Sequence, residues 1–152
     1  MNVDGMKGEI TMCTLTHNSD KFSILGYKVA IKRDNKYFSA AMGFEYEYDK
    51  LIPEVKTQHR LCQHFNEGIL DPLSNSYNPA MVGRTAVFKK FEDAVHLYAD
   101  IKRGWTAPTH GKPVILLSSV HEDLMEGHYG ENEPVAAGRR IRFSYEIEAE
   151  RI

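Results

Sequence analysis

The stretch ILGYKVAIKRDNKYFSA, residues 24–40, restricts the possible folds of this chain more than any other. Leu25, Tyr27, Val29 and Ile31 alternate with Gly26, Lys28, Ala30 and Lys32, a period of two that suits a half-buried strand. Asp34 and Asn35 follow, residues that tolerate positive φ, and KYFSAAMGF resumes an extended, aromatic-rich run. A β-hairpin is expected here, and with it a sheet.

The rest of the chain supplies partners for that hairpin. FEYEYDK, residues 44–50, alternates aromatic and acidic positions and is expected to form another strand. GRTAVF, residues 83–88, predicts a short strand, and KPVILLSSV, residues 112–120, is apolar throughout, as a buried central strand would be. Between them, Phe91, Ala94, Val95, Tyr98 and Ile101 fall on one helical face. Glu92 and Asp93 at the start of that segment, with Lys102, Arg103 and Gly104 at its end, give a helix of the right polarity. In the closing segment Ile141, Phe143, Tyr145 and Ile147 are expected to face the core, with Arg140, Arg142, Ser144, Glu146 and Glu148 turned away. Residues 52–82, with a short helical turn in LCQHFNEGIL, and residues 121–138 are expected to be loops. The expected fold class is α+β: a mainly antiparallel β-sheet with one principal amphipathic helix packed on it. With 152 residues the chain suits a single domain, residues 1–152, and residues 1–22 form a loosely attached arm with a short strand around Glu9 to Leu15.

Charge narrows the partners. A net charge of -2 does not suit a protein that grips long nucleic acid by neutralising many phosphates. Cys13 and Cys62 match no zinc spacing and are too few for a disulfide framework, which fits a reducing compartment. The opening residues lack the basic-then-apolar pattern of a signal peptide, and no stretch reaches the length of a membrane span. A cytoplasmic protein without membrane contact is expected.

Against this acidic background the closing segment begins GRRIR, with Arg139, Arg140 and Arg142 inside four positions. Guanidinium is a planar five-donor fork that suits phosphate and keeps its charge when partly buried. Arg140 and Arg142 share one strand face, and Arg139 joins them if the chain bulges after Gly138. A diphosphate or cyclic nucleotide is the kind of ligand such a rim could hold, and Arg84 could join from a neighbouring strand or another subunit. The competing view is that Arg140 and Arg142 pair with Glu45 and Glu47 across an exposed face. Phe38 and Tyr129 offer ring faces on which a base could stack, Tyr129 standing in a polar loop between His128 and Gly130. His59, Cys62 and His64, like His121, Glu122 and Asp123, sit close together without a recognised metal spacing, so no metal or cofactor is expected.

The order GYKV, YFSA, EYEYDK, GRTAVF, FEDAVHLYA and an arginine-headed closing strand resembles a family of small phage proteins, the first-described Thoeris anti-defence sponges. The resemblance covers roughly residues 24 to 150. It implies a phage counter-defence protein in the host cytoplasm that binds a cyclic ADP-ribose isomer made by host TIR-domain enzymes and sequesters it without cleavage. It also implies a symmetric homo-oligomer built from dimers, such as a hexamer, with pockets shared between subunits; some members hold cyclic trinucleotides at separate sites. By the same resemblance Arg139 or Arg140 grips phosphate, Arg84 assists, Phe38 stacks on the ligand and Asn132 hydrogen-bonds it. Two other functions stay open: an enzyme that degrades a nucleotide signal with His121, Glu122 or Asp123 as general base, and an antagonist whose long loops block a host protein.

Overall fold

A computed structural model of the chain describes residues 13–40, 43–53, 79–104, 110–130 and 132–152. Its strands are β1 (Cys13–Asn18), β2 (Ser23–Arg33), β3 (Lys36–Ser39), β4 (Glu45–Tyr46), β5 (Thr85–Phe88), β6 (Lys112–His121), β7 (Met125–Tyr129), β8 (Glu133–Gly138) and β9 (Arg140–Glu146). Among the described residues one α-helix, α1 (Phe91–Lys102), stands between β5 and β6, and two short 3-10 turns span Pro79–Met81 and Ala149–Arg151. The strands form one antiparallel sheet in the order β9-β6-β2-β5-β8-β7-β1, with β3 added to β2 and β4 to β3. The α+β class is thus observed. Among the described residues no helix is long and apolar enough to cross a membrane.

The hairpin forms as its sequence predicts. Asp34 and Asn35 take φ of 54° and 62°, the left-handed pair that joins two strands by a tight turn. β6 is an interior strand, paired to β9 on one side and β2 on the other, which accounts for its continuous apolar run. α1 buries Ala94, Tyr98 and Ile101, a single stripe at helical spacing, and Phe91 meets Tyr27 edge-on at 5.4 Å.

The sheet cannot be flat. β8 and β9 lie four strand steps apart, about 19 Å at ordinary strand spacing. Yet the chain passes from Gly138 to Arg140 through Arg139 alone, a reach of at most about 7.6 Å. β6 and β7, also four steps apart, are joined by just residues 122–124. Both connections close only if the sheet curls until the ends of β6 and β8 touch, the corner that a bent strand makes between two packed halves. At that corner a Cβ on Gly138 would stand 2.7 Å from the His121 carbonyl oxygen. The halves are joined at β2 and β5 by the single pair Tyr27–Phe88, and Gly26 lets the strands approach there, since its Cβ would lie 2.5 Å from Val87 Cγ2 and 2.6 Å from the Phe88 oxygen. One face of the sheet packs Val29, Ile31, Phe88, Ile115 and Val135 against α1. The other packs Val87, Leu116, Val120 and Ile141 under Tyr46, Ile52 and Leu124.

Four expectations change. FEYEYDK yields only the two-residue β4, because β3 offers it just Tyr37 and Phe38 as partners; the chain then turns at Asp49, φ 58°, so that the Asp49 N–H reaches the Ile141 oxygen at 2.9 Å. Residues 121–138 are not a loop but contain β7 and β8. Gly127 stands within β7, where a Cβ would fall on the Thr14 carbonyl oxygen and only glycine lets β1 approach. Residues 13–18 form β1 against β7, so the short strand expected around Glu9 to Leu15 runs to Asn18 and belongs to the sheet rather than to a loose arm. In β9 a bulge between Phe143 and Tyr145 reverses the alternation. Tyr145 is therefore exposed, and Glu146 turns inward to accept hydrogen bonds from Lys32 Nζ at 2.5 Å and Tyr37 Oη at 2.8 Å. Burial and the bond to Glu146 push the Tyr37 phenol up to about 12. The expected helical turn at LCQHFNEGIL lies outside the described residues.

Replacing Gly26 by alanine forces a methyl into the β2–β5 junction, where the Phe88 carbonyl cannot rotate away. The expected cost is about 1–3 kcal/mol, read as a lower urea midpoint with an unchanged slope.

Candidate functional site

The curl gathers the ends of several strands and their charged residues. β2 starts at Ser23 and β6 ends at His121, which are cross-strand partners; Arg140 pairs with His121 from the other side, and Arg142 stands opposite Ser119. Leu51 bridges to Arg140 on the outer edge of β9, so Asp49 comes alongside. The 19–22 turn is tied down by a hydrogen bond from Ser19 N–H to the Leu124 oxygen at 2.8 Å. Between these pieces lies an open cleft of about 580 Å³, lined by Asn18 to Phe22, Asp49, Arg84, His121 to Leu124, Arg140 and Arg142.

The β6–β7 connection forms the floor. Glu122 and Asp123 both adopt left-handed backbone, φ 73° and 51°, where asparagine or glycine is the usual occupant. Each such L-residue costs about 1–2 kcal/mol, and the arginines compensate. Arg84 Nε donates to the Asp123 oxygen at 2.9 Å while its NH1 donates to the Ala80 oxygen at 2.7 Å. Arg140 Nε reaches the Glu122 carboxylate at 2.6 Å and its NH1 the Asp49 oxygen at 2.9 Å. The Arg139 N–H donates to the Glu122 oxygen at 3.0 Å, and its guanidinium stands 3.7 Å from the Asp123 carboxylate. Arg142 Nε donates to Asp49 at 2.9 Å. The arginines do have carboxylate partners, but these are Glu122, Asp123 and Asp49 rather than Glu45 and Glu47.

The cleft is therefore a lattice of alternating charge. Lys21, Arg84, Arg140 and Arg142 line it together with Asp20, Asp49, Glu122 and Asp123. The hydrogen bond from Arg142 holds the Asp49 carboxyl below the usual carboxylate range, and the same bond raises Arg142 further. His121 donates or accepts a 2.8 Å bond between Nε2 and Ser119 Oγ. Burial, and after it the Arg142 charge, hold this imidazole below the ordinary histidine range, against an opposing pull from Asp49.

Among the residues expected to bind ligand, Arg84, Arg140 and Arg142 meet in the cleft, and Arg139 reaches its floor through Asp123. The other three stand elsewhere. Phe38 pairs with Ile31, roughly 26 Å along β2 from the cleft end, with the Arg33 guanidinium 5.5 Å over its ring. Tyr129 is half-buried at the far end of β7, edge-on to Phe88 at 5.1 Å. Asn132 is exposed in the turn between β7 and β8. The residues that sequence reasoning missed are Asn18 to Phe22 and Asp49. The turn-forming composition of NSDK was the available signal for the first group, whereas Asp49 joins the site only through the edge of β9.

Among the described residues no group of three histidine, cysteine or acidic side chains is placed to hold a metal ion; His59, Cys62 and His64 lie outside them. No protein-family model, curated protein or solved structure matches the chain.

Because Arg142 depresses His121, the Arg142→Ala variant is expected to raise the His121 pKa, and Asp49→Asn to lower it, both measurable by NMR titration of the ring protons. The sign for stability follows. With the folded-state pKa depressed, the unfolded chain takes up the proton first as pH falls, so this group's contribution is lost on acidification from the ordinary histidine range downwards. Arg142→Ala reduces that loss.

Proposed function

We propose that this chain binds and sequesters a cyclic nucleotide signal of host immunity, a cyclic ADP-ribose isomer, without cleaving it, as a phage counter-defence protein. The observation that supports the reading most is the convergence of Arg84, Arg140 and Arg142, with Lys21, on one cleft. Its volume falls within the roughly 300–1,000 Å³ of small-molecule sites. The guanidiniums are pre-oriented by their carboxylates, and each keeps donors in reserve: Arg142 engages Asp49 through Nε, and its two terminal nitrogens make no hydrogen bond to a described residue. Exposed ion pairs are weak, whereas a phosphate can take two parallel hydrogen bonds from one fork. An incoming phosphate can therefore share or displace Glu122 and Asp49.

The cleft is open on one side. Holding a signal at nanomolar concentration takes about 12 kcal/mol, which a guest of this size reaches only when nearly enclosed. A homo-oligomer built from dimers, with a second subunit closing the cleft, fits that requirement, and cyclic trinucleotides would occupy a separate site. Long nucleic acid is not a partner in this reading, and the protein works in the cytoplasm of the infected cell.

His121 favours a second reading. A neutral imidazole in the cleft, held below its ordinary range, is suited to accept a proton, as a signal-degrading enzyme requires. One experiment separates the two: incubate the protein with cyclic ADP-ribose isomers, remove unbound ligand, denature by heat and identify what is released. Intact ligand supports sequestration, a cleaved product supports the enzyme, and an empty protein leaves antagonism of a host protein.

Arg142→Ala is expected to weaken retention about tenfold or more, and Arg140→Ala together with Arg142→Ala to abolish it. Arg142→Ala should change the melting temperature little, since that side chain makes an exposed pair, whereas the double variant should melt somewhat lower but still cooperatively, since Arg140 also holds the Glu122 turn and the Asp49 oxygen. Undiminished retention by the double variant overturns the reading.

A further inference from the structure

Phe22 is 97% exposed, the most exposed large apolar side chain among the described residues, and it lines the cleft beside Lys21. Among the described residues it makes no ring contact. The ring contributes nothing to either hydrophobic cluster, so folding does not explain its placement. Its backbone is held in place all the same. Ser23, the next residue, opens β2 and pairs with His121, while the Ser19 N–H is bonded to the Leu124 oxygen and the Lys21 N–H to Ser19 Oγ at 3.3 Å. A phenyl ring is thus presented to solvent from a short, anchored turn at the mouth of a cationic cleft.

An anion that needed only charge would gain nothing from such a ring. A guest that joins phosphate to a flat heteroaromatic base would use both parts, its phosphate at Arg84, Arg140 and Arg142 and its base face on Phe22. We infer that Phe22 is the base-stacking residue of this cleft, and that it selects nucleotides over base-free phosphates. The inference rests on the ligand reading above and moves the stacking role from Phe38, which lies in β3 opposite the far end of β2, to Phe22. Because the backbone of the turn is anchored, binding has only the side-chain torsions of Phe22 to fix, which keeps the ordering cost small.

The test compares the parent protein with Phe22→Ala, Phe22→Leu and Phe22→Trp by equilibrium dialysis, using ADP and cyclic ADP-ribose isomers as separate probes. Phe22→Ala is expected to lose about 5- to 150-fold in affinity for both probes. Phe22→Leu, which keeps apolar bulk without a π face, should fall nearly as far, and Phe22→Trp should bind as well as the parent or better. All four should melt at the same temperature, because the ring is exposed and belongs to neither hydrophobic cluster. Equal binding by parent and Phe22→Ala overturns the inference while leaving sequestration standing, as does full rescue by leucine. A parent that binds ADP through Phe22 but retains no cyclic ADP-ribose isomer upholds the stacking role and sinks the sequestration reading. A parent that binds neither probe sinks both.

Discussion

A single-residue corner governs this structure. Because β8 continues into β9 through Arg139 alone, the strands on either side cannot lie where a flat sheet would put them, and the sheet must close on itself. The closure brings the end of β6 against the end of β8, and Gly138 is accommodated where a side chain would strike the His121 backbone. Everything that makes the cleft follows from this contact: the end of β6, the start of β2, and arginines from both β9 and the segment before β5. Both hydrophobic clusters depend on it too, since each draws side chains from the two halves of the sheet.

The corner has an electrostatic counterpart. Connecting β6 to β7 in three residues requires a tight turn, and this chain places Glu122 and Asp123 in left-handed backbone where smaller residues are easier. Arg84, Arg139 and Arg140 bind that turn through its carbonyls and its carboxylates. Lysine would not serve equally well. Arg84 and Arg140 each hold two oxygens at once from different segments, which takes a rigid fork with several donors. Arg84 and Arg140 line the cleft as well as securing the turn, so the structural role of these two arginines is compatible with the ligand-binding role proposed for them.

Much of the fold was legible in the sequence. The alternation in residues 24–31, the Asp34–Asn35 turn, the apolar β6 and the stripe of α1 each rest on local periodicity, which is fixed by the few residues concerned. Where local pattern misled, a long-range partner had intervened. Residues 121–138 read as a loop until their pairing with β1 and β5 is seen, and Tyr145 reads as core until the β9 bulge turns it out. The arginine cluster was legible as a cluster, because three guanidiniums in four positions need a common explanation, but their partners were not.

The sequence by itself therefore determined the class of the fold, the hairpin, the helix and the presence of an arginine-rich rim, since these depend on contacts within one element or between neighbours in the chain. Tertiary structure alone decided that Arg84, Arg140, Arg142, Asp49 and Phe22 share one cleft, and that Phe38 and Tyr129 do not. The reason is the curl. Residues separated by as many as 120 positions meet only because strand pairing and a one-residue corner close the sheet, and no local pattern encodes the distance between strand ends.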